Sequence, residues 1–329
     1  MAKLVTIAIP VYKRLEYLPH VLDIVRSQDY PALELIVSDN GMNACSVREI
    51  VDQHYPKQYK FRQNACTVDV STHFNQLIAE ASGDYFVLLC DDDEISPNYI
   101  SELVSVLDRH PQATVALSRQ EIMDENGAIL RGSKDPLPTI MSGADFIRAA
   151  WGTYEYKFEC FNTFLSRTES LRACGGFPDF ARGHGVDNAL LIKLCLLGQI
   201  ALSSRCTSRW RVHMSSFGWS MNLPDIAEAT KHFMQFLDAD PIIRAFASRS
   251  PAQWKQMNSC LVKMAWNTYF FRWRDLYRYR MSNLQWIRAG FALPFIAAYY
   301  LAVTFTLAKV SKAAAFARGR KWVSWAIRV

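Results

Sequence analysis

"SGDYFVLLCDDDEISP", residues 82–97, runs an apolar segment straight into three aspartates and a glutamate. Residues 84–90 read as a buried strand: the run is short and apolar, and Gly83 stands before it. Four carboxylates where such a strand ends repel one another, and taking any of them out of water is costly. The cluster is therefore either a solvated turn or a place where a cation compensates the charge.

The flanking chain sets the context. Apolar runs at 4–12, 33–40, 59–64, 84–90 and 113–119 read as strands. Between them, residues 15–28, 46–55, 71–81 and 97–110 carry apolar residues at helical spacing, with Ser46 and Glu49 offering a capping box to the second helix. Repeated β-α units with wholly apolar strands predict a mostly parallel sheet covered by helices. In open α/β sheets, ligands bind at the carboxyl ends of the strands. Asp39 ends the second strand, and Asp91 to Glu94 follow the fourth. That shared edge favours a binding site over a solvated turn. Farther on, "DENG" (124–127) reads as a hairpin turn, 142–151 as a helix, 161–167 as a strand, 186–198 as a helix and 200–213 as containing a strand. After Pro224 the pattern is wholly helical.

The chain has 329 residues, 50% hydrophobic and 21% charged, which suits one large α/β domain with additions or two modest ones and excludes long disorder. No pair of the eight cysteines has CxxC spacing, so they read as reduced, core-filling residues and neither a disulfide framework nor a zinc site. The first strand is not followed by GxGxxG, which argues against a dinucleotide-binding dehydrogenase, and the absence of GxxxxGK[ST] excludes a P-loop enzyme.

Net charge is +6 and unevenly placed: after Ser250 there are thirteen Lys and Arg residues against one acid, Asp275. Residues 289–308 carry no charge over a length that spans a bilayer as a helix, but Pro294 interrupts the run and basic residues flank both ends. Trp, Tyr and Arg interleave on either side, as in interfacial helices. These features predict a peripheral or monotopic attachment to an anionic membrane surface, at the cytoplasmic face of the inner (cell) membrane, with a single span over 289–308 as the alternative. Nucleic acid is a poor fit, because the arginines sit among bulky apolar residues that a phosphate backbone does not use.

Taken in order over roughly residues 4–215, these motifs resemble glycosyltransferase family 2, whose members have the GT-A fold and invert configuration as they transfer a sugar from a nucleotide. The resembling stretches are "VTIAIPVYKR", "LELIVSDNG", "EASGDYFVLLCDDDEISP", "ACGGFPDF", "GHGVDNALLIKLCLLG" and "WRVHMSS". The resemblance implies a GT-A type, mostly parallel sheet flanked by helices over residues 1–220. Residues 221–329 would form the helical, membrane-associated extension. It places Pro10, Tyr12, Arg14, Asp39, Asp91 and Asp92 against the nucleotide sugar. It gives Mg2+ or Mn2+ to Asp92, Asp93 and His213, and makes Asp187 the catalytic base. Cys90 stands where many relatives begin the metal motif with Asp, Val186 replaces the Glu of a Glu-Asp pair, and Asn64 lacks the glycine that usually follows it.

The chemistry agrees with these roles. Sugar transfer with inversion needs one carboxylate to take the acceptor's hydroxyl proton, and it needs the departing diphosphate neutralised. The expected activity is transfer from a nucleoside-diphosphate sugar to a saccharide or lipid-linked acceptor in cell-surface polysaccharide synthesis. The alternative is an inactive nucleotide-sugar-binding or scaffold protein of a glycan assembly complex. A homo-oligomer is compatible with either.

Overall fold

Four apolar segments at the start of the chain lie side by side as the parallel strands β1 (Val5–Val11), β2 (Leu33–Asp39), β3 (Lys60–Gln63) and β4 (Tyr85–Leu88). The computed structural model describes residues 2–132, 138–153, 163–213 and 223–280. Helices α1 (Leu18–Arg26), α2 (Ala44–His54) and α3 (Val70–Glu80) connect these strands. The sheet continues through β5 (Glu94–Ile95), β6 (Ala113–Met123), β7 (Ile129–Gly132), β8 (Ile140–Ser142), β9 (Leu165–Arg167) and β10 (Gln199–Arg211). Its order is β3-β2-β1-β4-β9-β6-β10-β5, with β7 on β6 and β8 on β10. The remaining helices are α4 (Tyr99–Arg109), α5 (Gly143–Ile147), α6 (Thr168–Ala173), α7 (Val186–Leu197), α8 (Leu223–Ala239), α9 (Pro241–Arg249) and α10 (Pro251–Arg280).

The sheet is mixed, which corrects the expected mostly parallel one. Strand β9 lies antiparallel between β4 and β6, and β10 pairs antiparallel with β5 and β8. Alternation and apolar runs mark where a strand is; its direction is set by the path of the connection before it. Because β9 reverses between them, β4 and β6 point the same way, and β10 runs parallel to β6. The carboxyl ends of β1, β2, β3, β4, β6 and β10 therefore share one edge.

Side-chain alternation divides the core in two. Val5, Ile7, Ile9 and Val11 of β1 join one cluster with α1, α2 and α4, while Ala8 joins the other with residues of α3, α5, α6 and α7. The helices after residue 222 extend this second cluster. Phe233 and Phe236 of α8 pack ring to ring with Phe180, and Ile243, Met257 and Leu261 lie buried beside them. Residues 1–270 form one compact unit and 271–329 a second, of which 271–280 are described as the last turns of α10.

Among the described residues, no helix is long and apolar enough to cross a membrane. This corrects the expected membrane-associated helical extension and the inner-membrane location drawn from it. The longest helix, α10, has the length but carries Lys255, Lys263, Arg272, Arg274, Asp275, Arg278 and Arg280 along it. The uncharged stretch 289–308 lies outside the described residues.

Side-chain caps open α3, α5 and α9 among the described helices. Asp69 accepts the N–H of Thr72 to cap α3, and Asp240 accepts those of Ile242 and Ile243 to cap α9. Helix α2 differs from the capping box expected at Ser46. It begins two residues earlier, at Ala44, because the Asp39 carboxylate takes the N–H groups of Gly41 and Asn43 and sets the turn that leads into it.

Helices α5 and α7 touch backbone to backbone at Gly143. A Cβ there would lie 1.8 Å from the carbonyl oxygen of Cys195. Gly143→Ala is expected to destabilise the fold by about 1–3 kcal/mol, the usual cost of overpacking, or more because backbone has to move. Urea denaturation of both proteins checks this; an unchanged midpoint would rule out so close an approach.

Candidate functional site

The shared strand edge brings together groups far apart in sequence. Leu89 still bonds to β1 through the carbonyl of Ala8, after which the chain turns and the N–H of Asp93 reaches the carbonyl of Cys90 at 3.3 Å. That turn stacks Asp91, Asp92 and Asp93 at the end of β4. Beyond it, β5 pairs with Ser208 and Arg209 of β10, which holds the turn against the end of that strand.

Three cationic or polar side chains meet the aspartates. Arg14, just past β1, places Nη2 3.0 Å from Asp92 Oδ2 and 3.9 Å from Asp91 Oδ1. His213 Nε2 lies 2.9 Å from Asp92 Oδ2 and 2.6 Å from Arg14 Nη1, and its Nδ1 is 3.1 Å from the same Arg14 nitrogen. Arg211 donates from Nε to the carbonyl of Asp92, while its backbone N–H goes to Asp93 Oδ1. The same guanidinium pairs with Glu94 at 2.7 Å, reaches the carbonyls of Asp124 and Glu125 in the β6–β7 hairpin, and stacks over the Tyr17 ring. At 4% exposed, it ties the aspartate turn to two other strand ends.

The three carboxyls experience different fields. Burial, and then the Asp92 charge, pushes Asp91 up to about 8 and Asp93 well above the ordinary carboxylate range. Burial also acts on Asp92, but the His213 hydrogen bond and the Arg14 charge outweigh it and hold that carboxyl down. Asp93 is 2% exposed and forms no ion pair among the described residues.

A divalent cation matches this donor set. The Sγ of Cys90 and carboxylate oxygens of Asp92 and Asp93 all lie within 4.8 Å of one another. Carboxylates are ordinary ligands of Mg2+ and Mn2+, and Asp93 is a buried acid that accepts the Arg211 N–H and makes no ion pair among the described residues. His213 touches this group through Asp92.

The other expected residues sit on neighbouring elements. Pro10 lies within β1 opposite Ser38, and Tyr12 follows the strand half-buried, with Lys13 Nζ 5.0 Å from its ring centroid. Asp39 is fully buried, and its oxygens serve the N–H groups of its own loop. Asn40 and Asn64 bond side chain to side chain behind it, and Asn40 also holds Val68 at both its backbone N–H and its carbonyl. The loops after β1 and β2 touch: a Cβ on Gly41 would sit 2.5 Å from the backbone nitrogen of Lys13. Lys13 and Met42 both take the left-handed conformation, each at φ 63°.

Asp187 occupies the first turn of α7, after Gly185 at φ 83°, and accepts the N–H of Asn188. Two contacts orient this helix. Its carboxyl end meets the start of β6, where Thr114 Oγ1 bonds to the carbonyl of Leu194, so its amino end points to the shared edge. The preceding loop lies over the start of α3, with Ser71 donating to the carbonyl of Pro178 and Asn75 bonded twice to Phe177. Buried Lys193 ties α7 to that loop through the carbonyls of Cys174 and Gly176. In the same loop Arg182, at φ 56°, faces Asp225 of α8 at 3.9 Å. Of the three aromatic residues that the sequence offers as a stacking wall for an acceptor sugar, Trp151 is core, packed edge-on to Phe146, and Tyr154 and Tyr156 lie outside the described residues.

Sequence reasoning missed Arg211, Lys193 and the Asn40–Asn64 pair as parts of this architecture, and Glu94, read there as one of four clustered acids, pairs with Arg211. Strand alternation held the signal for Arg211: residues 209, 211 and 213 share one face of β10 and its continuation, so the histidine singled out there implicated the arginine two positions before it.

Residues 6–175 match glycosyl transferase family 2. A Rickettsia felis protein described as an uncharacterized glycosyltransferase is 29% identical over 131 residues, 39% of this chain and 21% of that relative. The chain thus spans about a fifth of that relative's length. Among solved structures, S. aureus TarS superposes with a TM-score of 0.60 at 17% identity, over 87% of this chain and 78% of the other. The mannosyltransferase PcManGT from Pyrobaculum calidifontis, in complex with GDP-Man and Mn2+, superposes at 0.52 and 15% identity, over 95% and 88%. At these identities the two structures share the fold with this chain.

His73 supplies a pH test of the edge. It is 3% exposed in α3, and its Nε2 is 2.7 Å from Ser38 Oγ, the residue before Asp39. Burial, and then the Arg62 charge, pushes it from 6.5 down to about 4. The unfolded chain therefore binds this proton first. The stabilisation is complete above about 6.5 and is lost as pH falls toward about 4, by about 1.4 kcal/mol per pH unit in between. His73→Asn, which keeps a polar partner for Ser38, is expected to flatten the acid limb by that amount. Urea unfolding at pH 7 and 5 measures it; parallel limbs would show that His73 protonates equally in both states.

Proposed function

Because the chain belongs to glycosyl transferase family 2, we propose that it is a metal-dependent, inverting glycosyltransferase. It would take its sugar from a nucleoside-diphosphate donor and pass it to a saccharide or lipid-linked acceptor in cell-surface polysaccharide synthesis. The observation that carries this reading is the turn at the end of β4, where a buried carboxylate without an ionic partner among the described residues stands beside two others at the strand edge. Such a turn suits a ligand that arrives with a cation.

In this reading Asp92 and Asp93 hold Mg2+ or Mn2+, which would neutralise charge on the diphosphate oxygens. Arg14 and His213 already pair with Asp92 and face the same side of the turn, where they would meet the diphosphate. Pro10, Tyr12, Asp39 and Asp91 belong to the nucleoside half of the site. Asp39 would act there through the shape of its loop, since its oxygens serve backbone N–H groups. Asp187 takes the proton of the attacking acceptor hydroxyl. Its place in the first turn of α7 favours the charged form that a base requires, because the helix dipole stabilises an anion there. The Lys193 and Asn75 contacts hold the preceding loop, and so the register of Asp187 against the acceptor.

The test is incubation with UDP-, GDP- and dTDP-sugars in Mg2+ or Mn2+, detecting released nucleoside diphosphate in the presence of saccharide and lipid extracts. One donor is expected to turn over. Asp187→Asn should slow transfer by about 10²–10⁴-fold, the contribution of a positioned base, while donor binding persists. Asp92→Asn should abolish metal-dependent donor binding. Donor binding without turnover would make the chain an inactive nucleotide-sugar binder, and no binding of any donor would overturn the site.

A further inference from the structure

The cation-binding turn contains one donor that a carboxylate site does not need. Cys90 stands at the first position of the turn and Asp93 at the fourth, closed by the bond from Asp93 N–H to the Cys90 carbonyl. First and fourth residues of a turn lie close together, which brings Cys90 Sγ within 4.8 Å of the donor oxygens of Asp92 and Asp93. Donors on one ion, at 2.0–2.3 Å from it, lie about 3–4 Å apart. Small side-chain rotations about a bound ion therefore bring all three into one coordination sphere.

We propose that Cys90 is a third protein ligand of this cation and sets its identity, favouring late first-row ions such as Co2+ or Zn2+ over Mg2+. The inference rests on the metal-dependent reading above and refines it. Two oxygens and a sulfur make a mixed site. A thiolate strengthens binding along the series toward Zn2+ and adds little for Mg2+, a hard ion that prefers oxygen and retains its waters. Coordination forms a metal–sulfur bond and releases the thiol proton to solvent. Asp93 supplies an independent reason for a cation here: it is 2% exposed and has no ionic partner among the described residues, whereas Asp92 already has Arg14 and His213. The ion is thus drawn toward the Cys90–Asp93 side of the turn, where the thiol is.

The test is titration of the full chain with Co2+ alone, reading the thiolate-to-cobalt charge-transfer absorption, together with calorimetric titration with Co2+, Mn2+ and Mg2+. The absorption is expected in the wild type and in the Cys45→Ser/Cys66→Ser double variant, which removes the two exposed thiols. It should disappear in Cys90→Ser. Cys90→Asp should shift the Co2+/Mg2+ preference toward Mg2+ by about tenfold or more, a scale on which even supporting contacts alter metal affinity. If Co2+ binds without the absorption, or the absorption survives Cys90→Ser, Cys90 is no ligand. Loss of binding in Asp93→Asn would then leave the carboxylate site standing. Failure of Co2+, Mn2+ and Mg2+ to bind any of these proteins would overturn both the ligand and the metal-dependent reading.

Discussion

Asp91, Asp92 and Asp93 occupy consecutive positions in a turn largely closed to solvent, and the surrounding chain is arranged around the charge they carry. One of the three, Asp92, is fully paired, by Arg14 from the end of β1 and His213 from beyond β10. The field of that paired charge then makes ionisation of its neighbours harder, since like charges this close oppose one another. The result is a graded site, with one settled anion beside Asp91, which Arg14 reaches only at 3.9 Å, and Asp93, which has no ion pair among the described residues. A solvated acidic turn would have no such gradient.

This arrangement depends on strand direction. Arg14, the aspartate turn, the Asp124–Glu125 carbonyls and Arg211 come from four different strand ends, and they meet because β1, β4, β6 and β10 all point the same way. The antiparallel insertion of β9 preserves this, since it reverses between two strands that agree. Arg211 turns the convergence into a mechanical link: one guanidinium touches the aspartate turn, β5 and the β6–β7 hairpin. Movement of any one of these would have to break charge-assisted hydrogen bonds in a buried setting, where they are at their strongest.

Much of this was legible in the sequence, and the limits have physical causes. Strands β1, β2 and β4 could be read because each is apolar on both faces, and α7 because nearly all its residues are buried. The aspartates stood out because four acids after such a run demand compensation. The direction of β9 was not legible, since three residues of alternation are the same read either way. Nor was the role of Asp39 toward its own backbone, because a carboxylate that orders a loop and one that meets a ligand occupy the same sequence position. Lys193 read as an ordinary helix residue; only the fold shows that its amine lies inside, on two carbonyls of another loop. The basic, aromatic tail misled for a related reason. Length and aromatic content suggested a segment able to cross a bilayer, but in α10 the charges recur along its whole length.

The close approach of Gly41 to the backbone of Lys13 fuses the first two loops of the edge into a single piece. Each contributes a non-glycine residue in a left-handed conformation, so neither is at its own resting geometry; each is held in place by the other and by Asp39. For recombination between related chains, these loops form one heritable block. A parent's β1–α1 crossing grafted beside another's β2–α2 crossing inherits half of a matched pair. The two loops are thus expected to diversify by concerted exchange.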